Sequence, residues 1–65
     1  MQERFDVQGM TCAHCVRAVT EAVRRVDPAA KVAVDLPTGR VEVDTSAARA
    51  RIAEAIREEG YTVSG

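Results

Sequence analysis

Cys12 and Cys15 are the only thiols in this chain, and they stand three residues apart in Gly9-Met10-Thr11-Cys12-Ala13-His14-Cys15. A disulfide between them would close a very small loop and constrain little of the unfolded chain, so the pair is no staple for the fold. Thiolates are soft ligands that select Cu(I), Zn(II) and related ions. Structural zinc almost always takes four protein ligands, yet His14 is the only histidine and no further cysteine is present to complete such a set. Cu(I) needs no four-ligand cage. A two-thiolate site suits it and leaves the ion accessible, which favours transfer over storage. The competing chemistry is dithiol redox, because a CxxC at a helix start also describes thioredoxin-like oxidoreductases. That fold needs a longer chain than these 65 residues.

Three neighbours bear on the site. Met10 carries a soft thioether, but it sits on the apolar side of the pattern before the loop and is expected to fill the core. Thr11 is expected to cap the following helix, with a hydrogen bond within the loop as the alternative. His14, read as standing in the middle of the loop, is expected to be exposed and able to tune the site, with service as a third metal ligand as the alternative.

The elements that must hold these residues follow from periodicity. Phe5 and Val7 alternate with Arg4, Asp6 and Gln8, the period of a half-buried strand, and Gly9 ends it. From Cys15 the pattern becomes helical: Val16, Val19, Val23 and Val26 share one face, with Arg17, Glu21 and Arg24 on the other. The helix must stop near Asp27, since Pro28 disfavours helical geometry in the residue before it. Val32, Val34 and Leu36, then Val41 and Val43, alternate with polar residues around Pro37-Thr38-Gly39, which reads as a β-hairpin. Thr45 or Ser46 is placed to cap a second helix with Ala48, Ile52, Ala55 and Ile56 on its apolar face. Gly60 supplies a left-handed stop, and Tyr61 to Ser64 form a short last strand.

The expected fold is α+β: a ferredoxin-like βαββαβ sandwich, a four-stranded antiparallel sheet with two helices on one face. Right before the first helix, the N-terminal dipole and free N–H groups favour thiolate over thiol.

The whole-chain balance excludes several classes. A net charge of −1 with mixed signs gives no basic patch for nucleic acid. One Phe, one Tyr and no Trp leave no base-stacking platform. No apolar run approaches a membrane span, so no membrane insertion is expected. The N-terminus lacks a secretory pattern, which points to the cytoplasm, where thiols stay reduced.

The loop Gly9-Met10-Thr11-Cys12-Ala13-His14-Cys15 resembles the GMxCxxC signature of heavy-metal-associated domains. The Val16 to Val26 stripe and the closing Glu59-Gly60-Tyr61 are similar to that family too, nearest to its bacterial copper chaperones of the CopZ type. The resemblance covers nearly the whole chain and implies a single heavy-metal-associated domain over residues 1–65. It implies Cu(I) bound by Cys12 and Cys15, with Met10, Thr11, His14 and Tyr61 around them. Met10 packs under the loop in that family, and Tyr61 there shields the sulfurs. Thr11, where zinc-exporting relatives often have Asp, favours copper. The implied partner is the N-terminal domain of a copper-transporting P-type ATPase. Arg17 is placed to meet an acidic face on it. The chain is then no enzyme; it is a monomer without metal, with a metal-bridged dimer as its other state. The alternatives are an excised metal-binding domain of a heavy-metal P-type ATPase and a thiol oxidoreductase.

Overall fold

In the computed structural model, which describes residues 2–64, the order is β1 (Gln2–Gln8), α1 (Ala13–Val26), β2 (Lys31–Asp35), β3 (Arg40–Asp44), α2 (Arg49–Glu58) and β4 (Thr62–Ser64). Met1 and Gly65, the expected ends of the domain, lie outside the described residues. The strands form one antiparallel sheet in the order β2-β3-β1-β4, as the ferredoxin-like reading requires.

Alternation along the strands sorts the two faces. Phe5, Val7, Val41 and Val43 are buried beneath the helices. On the opposite face, cross-strand neighbours run Gln2–Asp44–Lys31, Arg4–Glu42–Ala33 and Asp6–Arg40–Asp35. Among the described residues this face has no large apolar side chain, and it stays in water.

Helix α1 buries Val19, Ala22 and Val23, while Val16 and Val26 are only partly covered. It begins at Ala13, three residues before the apolar stripe, and ends at Asp27, whose N–H donates to the Val23 carbonyl at 3.0 Å. Helix α2 buries Ile52, Ala53, Ala55 and Ile56 and ends with the Gly60 N–H donating to the Arg57 carbonyl at 2.9 Å. Its start corrects the sequence expectation. The N-cap is Ala48, with no side-chain cap, rather than Thr45 or Ser46. The Thr45 hydroxyl is committed elsewhere: it donates to the Asp27 carboxylate and accepts the Ala47 N–H at 3.0 Å. As the cap, Ala48 is exposed instead of lying on the apolar face, and Ala53 takes a place there.

The β2–β3 turn is pinned to the end of β1. The Gly39 carbonyl accepts the Val7 N–H at 2.7 Å. Gly39 has φ 73°, and a Cβ on it would meet the Val7 carbonyl oxygen at 2.5 Å, so only glycine fits without backbone movement. The hairpin turn is thereby held beside the loop that carries the cysteines.

Candidate metal centre

The β1–α1 connection delivers both thiols to one end of the sandwich. Cys12 is the N-cap of α1, with an extended backbone (φ −157°, ψ 173°). Its carbonyl accepts the Cys15 N–H at 3.0 Å and the Val16 N–H at 3.3 Å, which places Cys15 in the first helical turn. The sulfurs then stand 3.8 Å apart, both as free cysteines. With thiolate–metal bonds of about 2.3 Å, as for zinc, a single ion can touch both. Cys12 is exposed and Cys15 half-buried.

The surroundings favour negative charge on Cys15. The first turn of α1 contains no acidic residue to occupy the positive end of the helix. The Cys15 thiol is pulled from its ordinary 9.0 down to about 6, first by the Tyr61 hydroxyl donating toward it and then by the backbone N–H groups of Thr11 and Cys12. Burial opposes this, and the Cys12 side chain adds a smaller pull. Tyr61 is pushed up to about 12 in return, chiefly by that same hydrogen bond, then by burial and the negative charge of Cys15. The Tyr61 ring runs past Gly9, where an added Cβ would lie 3.4 Å from Cδ1, so the end of β1 and the residue before β4 close on the site together.

The other expected neighbours divide. Met10 is buried in the core cluster, so it packs beneath the loop. Thr11 does not cap the helix, because the chain places Cys12 at that position; Thr11 contributes its backbone N–H to Cys15 instead. That role depends on backbone direction and leaves no mark in the residue type. His14 lies in the first turn of α1 rather than mid-loop; it is exposed and makes no side-chain hydrogen bond among the described residues. Arg17 is exposed on the same helix. Among the described residues no cluster of three or more His, Cys, Asp or Glu side chains is suited to a metal, so no closed four-ligand cage is built there. A groove of about 440 Å³ between α2 and β4 is lined by Phe5, Ala53, Val63, Arg49 and Arg57 among others and contains neither cysteine. A two-thiolate site at a convex loop requires no such cleft.

The heavy-metal-associated domain family model matches residues 4–62. The chain belongs to that family. As a heavy-metal-associated domain it is 39% identical over 66 residues to the copper chaperone CopZ of Bacillus subtilis, covering 97% of this chain and 96% of that one. Among solved structures it is similar to a CopZ metallochaperone, with a TM-score of 0.91 at 34% identity over 98% of this chain and 100% of the other. It is equally close in shape to the copper chaperone Atx1 from Synechocystis PCC6803 in its Cu2 form, with a TM-score of 0.91 at 31% identity over 95% of this chain and 98% of the other. No helix among the described residues is long and apolar enough to cross a membrane.

Proposed function

We propose that this heavy-metal-associated domain is a copper chaperone that binds one Cu(I) through the thiolates of Cys12 and Cys15. The reading takes residues 1–65 as one metal-binding domain working in the reducing cytoplasm. The observation that carries it is the exposed dithiol at the start of α1, with sulfurs 3.8 Å apart. Soft thiolates suit Cu(I). The family likeness supports copper over other soft ions.

Delivery is by ligand exchange. A thiolate of the recipient attacks the bound ion from the exposed Cys12 side and forms a three-coordinate bridge. One cysteine here then releases the ion, and the second follows. No proton need be moved by an acid or base, so the protein acts as a carrier and not as an enzyme. Met10 supports the loop from below, Tyr61 and the Thr11 N–H hold Cys15 anionic, and His14 stands outside the thiol pair. The recipient is the N-terminal domain of a copper-transporting P-type ATPase.

Anaerobic titration of the reduced protein with Cu(I) against a competing chelator tests this. The expected result is about one ion per chain, held in preference to Zn(II), and lost when both cysteines become Ser. Binding of unchanged stoichiometry in that double variant would overturn the reading. The depressed Cys15 thiol is equally a feature of redox CxxC pairs, so thiol oxidoreduction is the second reading. Catalysed reduction of insulin disulfides would favour it, and its absence removes it.

A further inference from the structure

The two edges of the sheet are built differently, and the hydrogen-bond register shows how. Val7 donates to the Gly39 carbonyl, so the odd residues of β1 turn their N–H and C=O groups toward β3. Carried across the sheet by the strand registers, this leaves Val63 as the outward-facing residue of β4, and Val32 and Val34 as those of β2. The β4 edge is short, three residues, and the Arg57 guanidinium reaches over it to the Val63 carbonyl at 3.5 Å. The β2 edge is five residues long, and among the described residues nothing hydrogen-bonds the outward groups of Val32 and Val34. It has no proline and no bulge, two of the usual protections of an exposed edge, and its charged residues, Lys31 and Asp35, stand only at its ends.

The sequence of that edge is self-complementary. Lys31-Val32-Ala33-Val34-Asp35, laid antiparallel on itself and centred on Ala33, sets Lys31 opposite Asp35 and Val32 opposite Val34. In this register the outward Val32 and Val34 become the hydrogen-bonded pairs, so all four of their backbone groups find partners. The end charges, which would repel in a parallel match, attract in this one. The charge order of the open face also continues across the join. Asp44 and Lys31 of one copy meet Asp35, Arg40 and Asp6 of the other, alternating in sign along the whole row.

We propose that the free edge of β2 pairs antiparallel with β2 of a second copy of this chain, joining two sheets into one of eight strands. The two-fold axis passes between the two Ala33 residues, perpendicular to the sheet, so the cysteine-bearing ends point in opposite directions and both dithiols stay open. This dimer needs no metal and is distinct from a metal-bridged one. It revises the expected monomeric state of the metal-free protein at high concentration. An edge contact is small, so the association is weak and concentration-dependent.

Sedimentation of the metal-free, reduced chain and of a Cys12→Ser/Cys15→Ser variant should show the same rise in average mass with concentration. The Val32 and Val34 amides should gain exchange protection in step. Lys31→Asp places like charges opposite one another at both ends and should weaken association by about tenfold; Asp35→Lys should do likewise. An equimolar mixture of the two variants should regain association as a heterodimer, because each then offers the charge the other lacks. Recovery in the mixture also shows that neither variant has unfolded. A chain that stays monomeric to about millimolar concentration, with unprotected Val32 and Val34 amides, overturns the proposal. So does an association lost with the cysteines, or one indifferent to the single charge reversals. None of these outcomes bears on copper binding, which is read separately by the titration.

Discussion

Removing the hydroxyl of Tyr61 takes away the largest of the contacts that hold the Cys15 thiol down to about 6. Tyr61→Phe keeps the ring against Gly9 and leaves the Thr11 and Cys12 N–H groups in place, so the thiol should rise without returning fully to 9.0. The rate of alkylation of Cys15 against pH measures this; the midpoint should move to higher pH. An unmoved midpoint would show that the backbone alone holds the thiolate. The same residue links stability to pH. The folded thiol is more acidic than a free one, so the folded state gains from its ionisation. That gain is complete above the ordinary thiol value of 9.0 and is lost as pH falls through about 6. Urea unfolding of the reduced, metal-free protein should therefore weaken across that window, and less steeply in Tyr61→Phe.

Between elements, the Thr45–Asp27 hydrogen bond ties the end of α1 to the β3–α2 connection. It also holds the Asp27 carboxyl below its ordinary range, with the Ala29 N–H as the next contributor. A depressed carboxyl stabilises the fold above its unfolded value, and that stabilisation disappears as pH falls through the lower folded one. Thr45→Val should therefore be less stable than the parent at neutral pH, and the gap should narrow in acid. Urea midpoints of the two proteins at neutral and acid pH check this, and a gap independent of pH would contradict it. This contact explains what the sequence concealed. Strand alternation and the valine stripe of α1 were legible because each is a local pattern with its own period. The start of α2 was not, since the use of the Thr45 hydroxyl depends on a residue 18 positions away. The exchange of Ala48 for Ala53 on the apolar face follows from that shifted start. At the site, the spacing of Cys12 and Cys15 announced two thiols held side by side, and their sulfurs stand 3.8 Å apart. The capping role expected of Thr11 failed because its contribution runs through a backbone N–H that any residue would offer in that conformation.

For the molecule as a whole, a chain of this length has roughly 3–10 kcal/mol of stability to lose, at about 0.05–0.15 kcal/mol per residue. Ile52 is fully buried where α2 meets the sheet. Ile52→Ala removes side-chain volume that the surrounding valines and Phe5 cannot all refill, at a cost of about 2–5 kcal/mol. That is a large share of the whole, and the midpoint of thermal unfolding should fall by about 10 °C or more. Cu(I) bound at the proposed site offsets part of this loss by mass action, because the folded loop holds the two thiolates side by side and the unfolded chain does not hold them there. Free Cu(I) at about a hundredfold excess over its dissociation constant contributes about 2.7 kcal/mol. Calorimetry of Ile52→Ala should then show the midpoint recover when Cu(I) is added. The same variant with Cys12→Ser and Cys15→Ser should show no recovery. Recovery without the cysteines would mean that copper stabilises the fold from somewhere other than the β1–α1 loop.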